Sequence, residues 1–217
     1  MSANAAATGV YRGVPAVERQ ATRRQQLIDA AYDLLGSDGW QATTVRAVCR
    51  RAGLTPRYFY ESFPDLDSLV VAVFDRIVAE LVQVVLEEVE AAPEEAHAKA
   101  RAAIGGFMRH VTEDPRRARI VFSEALGSEA LARRRFDTLR TFARLIAEQG
   151  RAFYGVRGHE RLADTTAYLL AGGMAELLLA WRDGTIGSSL EELIDDCAAL
   201  FVAAGEAAVE MTARRGN

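Results

Sequence analysis

Residues 43–63 read TTVRAVCRRAGLTPRYFYESF, and the punctuation inside this stretch limits what the chain can build. From Thr44 to Ala52 the apolar residues Val45, Val48, Cys49 and Ala52 recur at helical spacing, with Arg46, Arg50 and Arg51 between them. That pattern predicts a helix of about two turns with a cationic outer face. Gly53 follows at once, where a left-handed backbone residue closes a helix at least cost. Thr55 then predicts an N-cap, and Pro56 fits the first helical position, whose N–H has no intrahelical partner. Phe59 and Phe63 are four apart and face a core; Arg57, Tyr58 and Tyr60 lie on the other sides. Two short helices joined by a glycine turn make a helix-turn-helix, a unit that cannot bury its own apolar face and needs a third helix. Thr22 to Leu35 supplies one: TRRQ is a capping pattern, and Leu27, Ala31, Leu34 and Leu35 follow at helical spacing up to Gly36.

Beyond Pro64 the chain reads as longer helices. The spacing predicts them over 66–90, 94–112, from Asp114-Pro115 to about 127, 128–154, 161–183 and 188–211. The stripe of the fifth of these long segments is Leu170, Met174, Leu177 and Trp181, and that of 128–154 is Phe136, Leu139, Phe142, Ile146 and Phe153. The last helix opens with SSLEE, two overlapping capping boxes. About nine helices and no convincing strand predict an all-α protein. The expected organisation is a flexible arm over 1–20, a helix-turn-helix domain over 21–65 and a helical ligand-binding and dimerisation domain over 66–217.

Charge divides along the same line. Residues 1–63 carry eight arginines against five acids, whereas the remainder carries 18 basic against 25 acidic residues. A basic reader on an acidic body fits this asymmetry, and a net charge of −4 argues against a protein that coats nucleic acid over its whole surface. Cys49 and Cys197 each lie in an apolar helical pattern and read as reduced core thiols. No apolar run reaches the roughly 18 residues of a membrane span. The first residues lack the apolar stretch of a secretory leader, so a cytoplasmic protein is expected.

The second helix of a helix-turn-helix enters the major groove with its N-terminal residues at the base edges. Arg57 lies in its first turn and offers a two-pronged donor to guanine. Tyr58 can pack on a thymine methyl or bond a phosphate, and Tyr60 can give its hydroxyl to a phosphate. Thr44, at the start of the preceding helix, can do the same beside the N–H groups there, and Arg46 can reach a base or the backbone. The competing reading is a surface helical hairpin with an exposed arginine.

Residues 23–69 resemble the DNA-binding domain of the TetR family of transcriptional repressors, through LIDAAYDLLGSDGW, TTVRAVCRRAGLT, YFYESF and DLDSL. The resemblance implies an Ω-shaped homodimer whose subunits each have three N-terminal helices for DNA and a larger helical body for an inducer. It puts Thr44, Arg46, Thr55, Arg57, Tyr58 and Tyr60 at the DNA, the partner being a double-stranded operator. The chain also departs from the family. Many relatives have a small residue at Arg57, a lysine at Leu66 and a neutral residue at Glu61. Arg12, Arg19, Arg23 and Arg24 form a candidate minor-groove arm that would compensate, disorder being the alternative.

The resemblance further implies that the last two long helices pair with their twins. GGMAELLLAW allows close approach at Gly172 and Gly173, and Gly173, Leu177, Trp181, Leu200 and Ala204 are the candidate dimer-interface residues. Phe74, Phe107, Met108, Phe122, Phe142 and Met174 are candidate lining for a ligand cavity, with His110 as its polar group. Such a pocket favours a small apolar effector. No cofactor and no metal is expected: Glu94-x-x-His97 occurs once where a di-iron site needs it twice, and zinc spacing, a phosphate loop and a nucleophile elbow are absent from the sequence. The expected function is therefore a homodimeric, effector-released repressor rather than an enzyme. The alternative is a helical small-molecule-binding protein or enzyme whose helix-turn-helix no longer reads DNA.

Overall fold

The computed structural model describes residues 16–124, 127–154 and 160–215. Among them are nine α-helices: α1 Ala16–Ser37, α2 Val45–Ala52, α3 Pro56–Ser62, α4 Leu66–Ala91, α5 Ala96–Glu113, α6 Pro115–Ala118, α7 Glu129–Tyr154, α8 Glu160–Arg182 and α9 Leu190–Arg215. No strand occurs among the described residues, so the all-α expectation holds. No helix among them is long and apolar enough to cross a membrane.

Local signals set most helix ends. Thr44 caps α2 by accepting the Ala47 N–H, and Gly53 closes it with φ 67°. Pro56 occupies the first turn of α3 behind Thr55, whose side chain makes no capping bond. Asp65 caps α4 through the Ser68 N–H at 2.7 Å. At α9 one of the two overlapping boxes closes: Ser189 Oγ accepts the Glu192 N–H at 3.2 Å and Glu192 accepts the Ser189 N–H at 2.8 Å.

Two expectations about helix extent need correction. α1 begins at Ala16, six residues before the predicted cap. Thr22 instead donates its hydroxyl to the Glu18 carbonyl one turn back, a bond available to threonine inside a helix. Glu18 in the first turn suits the positive end of the helix dipole. Arg19, Arg23 and Arg24 therefore stand on a helix rather than on an arm, and Arg12 lies outside the described residues. The segment after Asp114 is also not one regular helix. α6 lasts four residues and passes into a wide-turn π segment, Arg119–Ser123.

The first core gathers Leu27, Ala31 and Leu35 of α1, Val48 of α2, Phe59 of α3 and Leu69, Val73 and Ile77 of α4, all buried. It does not stop at Pro64: the first half of α4 packs as part of it, and Ile120 and Leu131 complete it. Cys49 is buried there. The second core joins α5, α6, the π segment, α8 and α9 through Ile104, Met108, Val111, Ala118, Phe122, Met174, Leu178, Ile194 and Cys197. Both thiols are free and sit in different cores, and burial pushes both thiol pKa values up. A third patch, between α7 and α8, consists of buried Ala143, Ala147 and Ala167. Small residues let these two helices approach closely; Ile146 of the predicted α7 stripe packs on the patch, but Phe136 and Phe153 are 57% and 53% exposed, contrary to expectation.

Candidate nucleic-acid interface

α3 has one residue that enters the core and a set that does not. Phe59 is fully buried, and Phe63, which follows the helix, is nearly so. The same 3.6-residue period that turns Phe59 inward turns Arg57, Tyr58, Tyr60 and Glu61 to solvent. Tyr60 is 60% exposed and its ring meets Phe59 edge-on at 5.2 Å, so an apolar core residue fixes the base of an outward phenol. On α2, Arg46 and Arg50 are exposed, as are Thr44 at its N-terminus and Thr55 in the turn. The Thr44 oxygen is occupied as an acceptor, which leaves its O–H to donate outward. All six candidate DNA-contacting residues thus lie at the surface of α2, α3 and their turn.

The structure adds a link that spacing did not reveal in full. Glu61 accepts from Arg57 Nε at 3.0 Å and from Arg23 Nη1 of α1 at 3.3 Å. The Arg23 guanidinium stands 4.2 Å above the Tyr58 ring, which helps leave Tyr58 only 36% exposed. Arg24 lies over Phe63 at 4.7 Å. The Arg57–Glu61 half was readable as an i,i+4 pair; the Arg23 half depends on how α1 crosses α3.

α1 is tied to the body at its other end. Arg119 donates to the Ser37 carbonyl at 2.6 Å and to Glu124 at 2.7 Å, and Glu124 accepts the Trp40 N–H at 2.7 Å. A cation here satisfies carbonyls that the helix end leaves open. Beside it, Asp114 accepts from the Tyr32 hydroxyl at 2.7 Å and from Arg116, which also reaches Asp33 at 2.9 Å. Arg116 and Arg76 lie over the Tyr32 ring at 4.8 and 5.1 Å. The Arg116 hydrogen bonds hold the Asp114 carboxyl well below the usual carboxylate range, against the effect of burial. Burial and the bond to Asp114 push the Tyr32 phenol up to about 12. Gly36 makes the approach possible: a Cβ there would stand 2.5 Å from the Arg116 Cβ. The sequence marks Gly36 and Asp114 as helix-end signals, but nothing local signals that Tyr32 and Asp114, 82 positions apart, meet.

The body candidates scatter. Phe74 belongs to the first core and is 1% exposed. Met108, Phe122 and Met174 are buried in the second, with Phe107 packed on it, while Phe142 is half-buried on α7. His110 alone of the seven lines a cleft of about 450 Å³ formed with Val84, Glu88, Arg109, Thr112, Glu113 and Leu190. His110 is buried and its Nε2 has no hydrogen-bond partner. Burial, then the charge of Arg117, pull its pKa down, with Glu80 and Glu113 opposing, so it is held neutral. Of the interface candidates, Gly173 and Leu200 are exposed and Ala204 is half-buried. Leu177 and Trp181 pack against the second core, and Trp181 donates its indole N–H to the Ser188 carbonyl at 2.8 Å.

Residues 27–73 match the family model for bacterial regulatory proteins of the tetR family. The HTH-type transcriptional regulator BetI of Klebsiella pneumoniae (strain 342) is 32% identical over 94 residues, 43% of this chain and 48% of that protein. The chain thus aligns with about half the length of this curated relative. A tetR-family transcriptional regulator from Streptomyces coelicolor superposes with a TM-score of 0.69 at 20% identity, covering 90% of this chain and 86% of that one. FadR from Bacillus subtilis, solved in complex with stearoyl-CoA, gives 0.66 at 17% identity, covering 83% and 98%. At these identities the likeness is one of fold.

Proposed function

We propose that this chain, which belongs through residues 27–73 to the tetR family of bacterial regulatory proteins, is a cytoplasmic, homodimeric repressor released from a palindromic operator by a small apolar effector. One observation carries the reading. Arg57, Tyr58 and Tyr60 are displayed outward on a short helix whose other face is locked by the fully buried Phe59. A rigid helix with a cation and two phenols at its N-terminal end suits the major groove. Arg57 takes the base edge; Tyr60, Thr44 and Thr55 take phosphates; Tyr58 and Arg46 flank them. Two such helices must sit about one DNA turn apart, roughly 34–36 Å, to occupy successive grooves.

The twofold contact is proposed along α8 and α9, where Leu169, Gly173 and Leu200 face outward with Met211. The effector is proposed to bind beside His110, between α4, α5 and the start of α9, where a buried imidazole nitrogen lacks a partner. FadR holds an acyl thioester, which supports an effector with a long apolar part here. α4 carries both the reader core and one wall of that cleft, so a shift of α4 alters the spacing of the readers. Effector and DNA then favour different states, and the coupling is reciprocal.

The test is enrichment of a random-sequence duplex pool on the full-length protein, followed by titration at two salt concentrations. A palindromic sequence should emerge and keep its advantage over bulk DNA while affinity falls steeply with salt. Weak, equal binding of every duplex would overturn the proposal and leave a helical ligand-binding protein or enzyme instead.

A further inference from the structure

We infer that Glu61 is a positioning residue that decides which edge of Arg57 meets the DNA; the inference rests on the reading of α3 as the DNA reader. A guanidinium carries five N–H donors in a planar fork and can address a base by its end, Nη1 with Nη2, or by its side, Nε with Nη2. Glu61 Oε1 takes the Nε hydrogen of Arg57 at 3.0 Å. The side edge is then spent within the protein, and the terminal Nη pair is what remains for the O6 and N7 of a guanine.

Glu61 is itself held on three sides. Its Oε2 accepts from Arg23 at 3.3 Å, and its carbonyl accepts the Gln20 side-chain amide at 3.2 Å. Arg23 in turn donates its Nε to the Arg19 carbonyl at 3.1 Å and covers the Tyr58 ring. The carboxylate therefore stands on a bracket built from α1, not on a free side chain. An exposed pair one helical turn apart is weak in water. Exclusion of water by a docked duplex strengthens it, because Coulomb attraction grows as the dielectric falls. Arg57, with its side chain 84% exposed, has no other partner to fix it in the described structure. Removal of the carboxylate lets Arg57 turn to the nearest phosphate, which raises affinity for any DNA and blurs the choice of base. Glu61 also stands between two cations, so its charge lowers attraction to phosphates that carry no sequence information.

The test uses the full chain, a duplex enriched on the wild-type protein from a random pool, and its single-base variants. Arg57→Ala first identifies the position that Arg57 reads. At that position the wild type should prefer the selected base on the order of ten- to a hundred-fold. Glu61→Ala, which removes the acceptor as well as the charge, should cut that preference to a few-fold, tighten binding of unselected duplex and steepen the log–log salt dependence by about one. In the Arg57→Ala background, Glu61→Ala should leave the residual preference unchanged, because its effect passes through Arg57. A preference that survives Glu61→Ala intact overturns the inference. So does a preference that still changes in the Arg57→Ala background, which would make Glu61 itself a base contact. Thermal melts of each variant separate lost folding from lost reading. A wild type with no preferred duplex removes the underlying reading instead.

Discussion

The surroundings of α4's first half and the seam between α7 and α8 are packed by different rules. Around the first half of α4 the reader core interlocks large side chains from four helices, with Leu27, Leu35, Phe59 and Leu69 fully buried. α7 and α8 meet over three buried alanines, while Phe136, Phe153 and Leu169 stand exposed. A dense core of branched and aromatic residues fixes one geometry, and an alanine seam fixes a distance while leaving apolar surface over. The difference teaches that interlocked bulk holds the reader, to which Ile120 and Leu131 of the body also contribute, whereas the α7–α8 seam is made by small residues and leaves bulky ones at the surface.

The contrast can be broken most directly at Phe59. Phe59→Ala should cost about 3–5 kcal/mol in urea unfolding, because the cavity lies where four helices meet and cannot collapse. A loss below about 1 kcal/mol would mean that the reader core is looser than its burial indicates.

The joint comes next. Asp114→Asn should cost about 1.5–3 kcal/mol, the range for hydrogen bonds to charged groups, since the amide loses the charge that faces Arg116 and leaves one accepting oxygen where Arg116 and Tyr32 use two. The Asp114 carboxyl pKa is depressed in the folded state, so its contribution is present above the unfolded value near ~4 and is lost as pH falls further. Acid unfolding of wild type and variant should therefore converge; curves that stay parallel would remove the joint from the account.

Arg57→Ala is expected to weaken binding by about 1–3 kcal/mol at one base position while changing thermal stability by less than about 0.5 kcal/mol. An equal loss at every position would make Arg57 a phosphate contact.

His110 sharpens the comparison from the body side. Its folded pKa is lowered, so it favours the native state above the unfolded histidine value near ~6.5 and disfavours it as pH falls below. His110→Asn should flatten the stability profile between pH 7 and 5, measured by denaturant midpoints; an unchanged slope would show that the imidazole is not held neutral by burial.

The smallest effect is expected at the outward phenylalanines. Phe136→Ser and Phe153→Ser should each shift the stability of the chain by no more than about 0.5 kcal/mol. A larger loss, with a change of mass in analytical ultracentrifugation, would show that they are covered by a second copy.

Much of the fold was legible because its signals are local. Gly53 and Pro56 fall at α2's end and α3's start. The outward set on α3 was legible for the same reason, since Phe59 inward forces Arg57 and Tyr60 outward. α1 is longer than its sequence signals because a threonine inside a helix mimics a cap. The body candidates form aromatic and methionine stripes, and a stripe gives no sign of whether its residues converge on a cavity or on one another. Phe74 and Met108 turned out to fill separate cores.

The caps of α2, α4 and α9 and the face that α3 buries were determined by neighbours within about four residues in the chain, where geometry is set by covalent spacing. The Glu61 bracket on Arg23, the Asp33–Arg116–Asp114 joint and the orphaned nitrogen of His110 were decided by tertiary structure alone. Each depends on which helices cross and at what height, and that is settled by the packing of whole faces, which no single stretch of sequence contains.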